Sequence, residues 1–203
     1  MEARNGPAAP PRPAFGRITL VRHGEPDICR KVRLNADEYR DWWAHYETRG
    51  LLAGQTPPRD LVETARAAGV VISSVRPRAI ETAAAVCDGQ ACAQDALFIE
   101  APLPPPRWPR WLKLSPRVWG FISRFWWWFF NHHEGQETRA EAERRADAAA
   151  AALITRAEGG DDVLVVAHGF FNGMVGEALK RRGWRCAMDQ GFKYWRARRF
   201  ERS

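Results

Sequence analysis

The chain of 203 residues has only four cysteines, Cys29, Cys87, Cys92 and Cys186, with no CxxC pair and no metal-finger spacing among them. That excludes a zinc-finger scaffold and offers no framework of disulfides. No apolar run reaches the ~20 residues that an integral membrane helix needs. Nothing reads as a signal peptide, so reduced thiols and a cytoplasmic location are expected. Internal repeats are absent, and so is any recognised nucleic-acid motif. The net charge of +7 therefore reads as a generally Arg-rich composition that favours phosphorylated small molecules, with no nucleic acid expected as partner.

Hydrophobic residues make up 45% of the chain and charged residues 27%, which suits one soluble domain with a sizeable core. Residues 1–15 are rich in Ala, Pro and Gly without apolar periodicity, and are expected to be a flexible tail. The domain proper is expected over 16–203. Short, nearly continuous apolar runs have the pattern of buried parallel strands: Ile18 to Val21, Val70 to Ser73, Val163 to Ala167, and a weaker one at Ala96 to Ile99. Helices are predicted over Leu61 to Ala68, Pro77 to Cys87 and Glu137 to Ala157. Pro77 suits a first helical position, and Gly159-Gly160 ends the last helix. This alternation of strands and helices predicts a three-layer α/β/α sandwich around a mostly parallel central sheet.

Ten tryptophans is a high number, and several crowd together with phenylalanines between Trp108 and Phe130. The dense part is too short for a membrane span, and Arg117 and Arg124 interrupt it. Residues 101–135 are expected to form an inserted, cap-like segment. Its rings either pack on the domain or on a second subunit of a homodimer, or wall the active site against an apolar part of a substrate. Peripheral membrane contact is a variant of the second reading.

The chemistry concentrates at strand ends. Arg22-His23-Gly24-Glu25 follows the first apolar run, and His168-Gly169 follows Val163 to Ala167. In open α/β sheets ligands bind at such carboxyl ends. Phosphoryl transfer to an imidazole needs a histidine held end-on, donors for three phosphoryl oxygens and an acid for the leaving group. His23 suits the nucleophile, Arg22 offers a fork of donors, and Gly24 permits a close approach. Between the second strand and its helix, Arg78 falls in the first helical turn, where free N–H groups favour an anion. Arg76 competes with it on spacing alone.

These residues carry a resemblance. Arg22-His23-Gly24-Glu25, then Ser73-Ser74 with Arg78-Ala79 and Thr82-Ala83, then Val165-Val166-Ala167-His168-Gly169 are similar to the motifs of the histidine phosphatase superfamily, the phosphoglycerate mutase-like fold. The resemblance implies a phosphohistidine at His23 and a phosphate pocket of Arg22, Arg78, His168 and Gly24. It selects Arg78 over Arg76, because the family's second arginine directly precedes Ala and the Thr-Ala pair. It also implies no cofactor and no metal ion, since the pocket's cations stabilise the charge.

The family's acid usually follows the third strand, which points to Glu100; Glu25 and Glu137 are the other candidates. His45 is expected to pack within an amphipathic helix, and His132-His133-Glu134 to bind no metal. Mutase members carry an Asn-bearing loop and a Gly-Trp segment after the first motif. Here Pro26 to Asn35 lacks that pattern, with Asn35 too far along, which favours a metal-independent phosphomonoesterase over a phosphoglycerate mutase-type phosphotransferase. A phospho-ligand or protein-binding module with little catalysis is the reading from another class.

Overall fold

The computed structural model describes residues 15–202, so all but the last residue of the expected tail lies outside the described residues. Six strands form one sheet: β1 (Ile18–Arg22), β2 (Val70–Ser73), β3 (Ala93–Gln94), β4 (Val163–Ala167), β5 (Trp184–Asp189) and β6 (Ala197–Arg202). Their spatial order is β3-β2-β4-β1-β6-β5. The pairs β3–β2, β2–β4 and β4–β1 are parallel, whereas β1–β6 and β6–β5 are antiparallel. Side chains alternate across the central strands as the pleat requires. Ile18, Leu20, Val163 and Val165 enter one apolar cluster, while Val21, Val71, Leu164 and Val166 enter another on the opposite face.

Helices cover both faces. The first cluster is closed by α5 (Arg139–Glu158) and α6 (Gly169–Arg181), the second by α2 (Arg59–Ala67) and α3 (Pro77–Cys87). Ala142, Ala146, Ala149 and Ala150 of α5 are buried, and their small side chains let that helix lie close to its neighbours. A third, smaller cluster joins α1 (Ala36–Thr48) to α4 (Pro116–Phe130) through Tyr39 and Trp119. Local signals explain where these helices start. Asn35 and Thr138 each close a capping box, with Glu38 and Glu141 respectively. Ser115 caps α4, and Pro116 occupies its first turn.

The strand expected at 96–99 is instead a 3₁₀ turn over Ala96–Phe98, and the third strand is the two-residue β3 just before it. The Asp95 carboxylate accepts from the Leu97 N–H and the Asp95 carbonyl from the Phe98 N–H. Those bonds divert the backbone from a ladder. His45 does not pack: it is exposed on α1, its Nδ1 2.8 Å from the Asp41 carbonyl. Helix α4 divides the aromatic segment between its faces. Trp119 and Trp127 are fully buried, whereas Phe121, Phe129 and Phe130 face outward. Among the described residues no helix is long and apolar enough to cross a membrane.

This two-sidedness makes a direct prediction. Trp127 is buried and donates its indole N–H to the Glu137 carbonyl at 3.0 Å. Trp127→Ala should cost about 3–5 kcal/mol, while Phe129→Ser should stay within about 0.5 kcal/mol, as read from urea midpoints.

Candidate active site

The carboxyl ends of β1, β2 and β4 are neighbours, because β4 lies between the other two strands and Arg22 is in register with Ala167. His23, Ser74 and His168 therefore leave the sheet side by side. All three are buried, and Arg78 enters from the first turn of α3 to join them. His23 is 1% exposed, and Arg78 and His168 are 0% exposed. The structure thus brings His23, Arg78 and His168 together.

Hydrogen bonds fix which ring nitrogen carries each proton. His23 Nδ1 lies 2.6 Å from the Gly24 carbonyl, an acceptor only, so Nδ1 bears the hydrogen. His23 Nε2 then accepts from Arg78 Nε at 3.2 Å, and its lone pair points into the cluster. His168 is arranged conversely. Its Nδ1 accepts from Arg78 Nη2 at 3.3 Å, and Nε2 donates to Ser74 Oγ at 2.9 Å. One guanidinium therefore holds both imidazoles neutral and in defined tautomers. The rings meet edge-on, with centroids 5.2 Å apart.

Arg78 has further partners that the sequence did not single out. Its Nη1 donates to the Tyr46 carbonyl at 3.0 Å and its Nη2 to Glu47 Oε1 at 2.8 Å. The other oxygen of Glu47 pairs with Arg76 at 2.7 Å, so Arg76 supports the carboxylate rather than replacing Arg78. Tyr46 Oη stands 3.5 Å from His23 Nε2. Tyr39, Trp42 or Trp43, and Tyr46 recur at helical spacing, and that period is the signal that could have revealed this face of α1.

The loop between β5 and β6 closes the other side. Arg22 stacks over the Tyr194 ring at 4.2 Å and donates to the Phe192 carbonyl at 2.8 Å. Arg30 donates to the Tyr194 hydroxyl. Trp195 adopts a left-handed backbone with φ of 61°, a strain of about 1–3 kcal/mol for a bulky residue. It is held by its N–H on the Arg22 carbonyl and its indole N–H on Gln55. Its ring fills the space beside Gly24, where a Cβ would stand 2.4 Å from it. The Gly24 N–H donates to Thr82 Oγ1 at 2.9 Å. Gly24 thus admits a tryptophan rather than leaving its own space open to phosphate.

The three candidate acids separate clearly. Glu100 lines the cavity above the cluster, and its Oε1 accepts from the Phe171 N–H at 2.9 Å at the start of α6. Its Oε2 has a longer contact, 3.4 Å, with the Phe170 N–H. Glu137 is clamped by Arg145 at 2.7 Å through both oxygens, which ties α5 to the preceding turn. Glu25 is exposed. His132 and His133 turn to separate carbonyls, Pro105 and Gln136. Among the described residues no group of His, Cys, Asp and Glu is placed to hold a metal ion.

Fold and site together define a three-layer α/β protein with two neutral histidines gathered around a buried guanidinium at the sheet's carboxyl edge. The histidine phosphatase superfamily (branch 1) matches residues 18–189, and the chain belongs to that superfamily. Membership brings phosphoryl-transfer chemistry of the phosphatase or mutase type. No curated protein matches the chain. Among solved structures, Bacillus stearothermophilus YhfR is 21% identical, with 82% of this chain and 80% of that one covered at a TM-score of 0.55. The phosphoserine phosphatase of Entamoeba histolytica in complex with 3-phosphoglyceric acid is 15% identical, with 85% and 87% covered at 0.51. These likenesses concern the fold.

Burial, followed by the charges of Arg78 and Arg22, pushes the His23 pKa well below the ordinary 6.5. Burial, Arg78 and His23 do the same to His168. Both imidazoles take up protons near 6.5 in the unfolded chain but resist them in the folded one. The stability they contribute is therefore complete above that pH and falls as the solution is acidified. NMR titration should find both rings neutral at pH 6. Each should lower stability by up to about 1.4 kcal/mol per pH unit below 6.5, and His168→Gln should flatten that slope in denaturant titrations.

Proposed function

We propose that the protein is a phosphomonoesterase that acts on phosphorylated small molecules through a phosphohistidine on His23, with Glu100 as proton donor and no metal ion required. The observation that carries this reading is the His23 tautomer. Its Nδ1–H is held by the Gly24 carbonyl, and its Nε2 lone pair is aimed at the guanidinium where a phosphoryl group would bind. A depressed pKa keeps that lone pair free of a proton, as a nucleophile requires.

In the first step the Arg78 Nε–H turns from His23 Nε2 to a phosphoryl oxygen, and the freed lone pair forms the N–P bond as the P–O bond to the leaving group breaks. The leaving oxygen takes the proton of Glu100. Arg22, Arg78 and His168 surround the transferred group, and the two guanidiniums offset its charge as a metal ion would. In the second step water attacks the phosphohistidine, Glu100 takes the proton that water gives up, and phosphate leaves with His23 restored. Glu100 Oε2 has only the 3.4 Å backbone contact, so it is the oxygen suited to exchange the proton while Oε1 stays anchored.

Two measurements test the reading. His23→Ala should lower hydrolysis of phosphomonoesters in EDTA roughly a thousandfold or more and abolish the acid-labile phosphoenzyme. Wild-type activity lost in EDTA, or labelling that survives the substitution, contradicts it. Glu100→Gln keeps an acceptor for the Phe171 N–H and should lower kcat about 10²- to 10⁴-fold for alkyl phosphates. The loss should be much smaller for p-nitrophenyl phosphate, whose leaving group needs no proton. Equal losses on both would remove Glu100 from the acid's role.

A further inference from the structure

The walls of the cavity say what a substrate should carry beyond its phosphoryl group. The cavity has a volume of about 1020 Å³, at the upper end of ordinary ligand sites and far larger than a phosphate or a three-carbon leaving group fills. Helix α1 lines it with Tyr39, Trp42, Trp43 and Tyr46, and α4 faces them with Arg117, Gly120, Arg124 and Trp128. The four rings of α1 form one connected strip. Trp42 and Trp43 stack on Tyr46 with centroids 5.4 and 5.0 Å apart, and Trp42 stacks on Tyr39 at 5.8 Å. Tyr46 stands beside His23. Tyr39 lies seven residues earlier on the same face, about 10 Å along the helix axis. This aromatic strip therefore runs from the nucleophile to Tyr39.

At its far end a polar group has no partner. Tyr39 is fully buried, and its hydroxyl makes no hydrogen bond. Burial raises its pKa above the ordinary tyrosine value, so it remains an O–H donor. Beside it, Arg124 donates to the Gly120 carbonyl at 3.1 Å and has no carboxylate partner among the described residues. Gly120 lets both groups pack against the bare backbone of α4. A Cβ there would stand 3.3 Å from Arg124 Nη1 and 3.6 Å from Tyr39 Oη. Glycine inside a helix is less favourable than alanine, so the gap comes at a cost to the helix. Of the three acidic residues of the wall, Glu143 is paired with Arg139 and Glu177 with Lys180, and Glu100 is held by the Phe171 N–H.

We infer that the site takes phosphomonoesters with a flat, apolar or aromatic leaving group that ends, about 10 Å from the phosphoryl group, in a second oxyanion bound by Tyr39 Oη and Arg124. The flat body lies along Trp42 and Trp43, where stacking needs no polar partner. The terminal carboxylate or phosphate accepts from the orphaned hydroxyl and the unpaired guanidinium. This assignment rests on the phosphatase reading of the same pocket.

The test uses two biphenyl phosphate monoesters that differ only at the far end of the second ring, one carrying a carboxylate and the other a methyl group. Wild type should favour the carboxylate in kcat/KM by about tenfold or more, the worth of a charge-assisted hydrogen bond. Arg124→Gln, Tyr39→Phe and Gly120→Leu should each bring that ratio down toward one. A ratio taken within one preparation cancels any loss of folded protein. A wild-type ratio within about twofold of one, or one that survives Arg124→Gln, overturns the inference. If neither ester nor p-nitrophenyl phosphate turns over, the phosphatase reading fails instead. The ratio of the two dissociation constants, measured by calorimetry on the same proteins, then decides the subsite by the same criterion.

Discussion

Taking a guanidinium out of water costs several kcal/mol unless its donors are satisfied and its charge is met, and Arg78 is wholly enclosed. Its position in the first turn of α3 adds to the cost, because that end of a helix carries partial positive charge. Relief comes from the opposite end of another helix. The Tyr46 carbonyl in the last turn of α1 accepts from it, and the Glu47 carboxylate supplies the counter-charge. The two remaining directions are taken by His23 and His168. A structural need and the proposed chemistry thereby coincide: the imidazoles must stay neutral to accept from Arg78, and neutrality is what the proposed role of His23 requires.

Strand order makes this meeting possible. With β4 between β1 and β2, segments nearly 150 residues apart in sequence, as in His23 and His168, end within ring contact. The parallel half of the sheet supplies the floor of the site. The antiparallel edge has a different task, because the loop between β5 and β6 brings Tyr194 over Arg22 and Trp195 against Gly24. The floor and its cover thus come from strands of opposite sense.

Legibility in the sequence follows the range of the interactions involved. Continuous apolar runs announced β1, β2 and β4, since burial on both faces leaves no other pattern. Pro77 likewise marked the start of α3. The three motifs placed His23, Arg78 and His168 correctly at the sheet edge because each rides on its own strand or helix. Ala96 to Ile99 misled: its apolar run is as compatible with a buried turn as with a strand, and the Asp95 side chain decides in favour of the turn. Strands β5 and β6 were not anticipated, because WRCAMD and ARRFER interleave charge with apolar residues at a half-covered edge. Glu47 could not be read from any motif, and the aromatic period of α1 marks the Tyr46 face without saying what it meets. Their role depends on α1 folding back across the strand ends, a contact set by tertiary packing.

The proposed chemistry places two opposed demands on His23: the pocket must exclude water, yet a phosphoryl group must reach it. Arg22, Tyr46 and Tyr194 line the cavity, and the two tyrosines also meet His23, Tyr46 Oη 3.5 Å from its Nε2 and the Tyr194 ring 5.6 Å from its ring between centroids. Helix α1 itself is fixed at one end by its capping box and at the other by Glu47 on Arg78 and Arg76. On the proposed reading the Arg78 Nε–H turns from Nε2 to a phosphoryl oxygen, and the phosphoryl group displaces Tyr46 Oη, 3.5 Å from Nε2. Phosphoryl oxygens that displace it gain the Arg22 and Arg78 donors, which water at the mouth of the cavity cannot reach without the same displacement. With His23 buried beneath the Tyr46 and Tyr194 rings, access on the proposed reading depends on the charge of what enters.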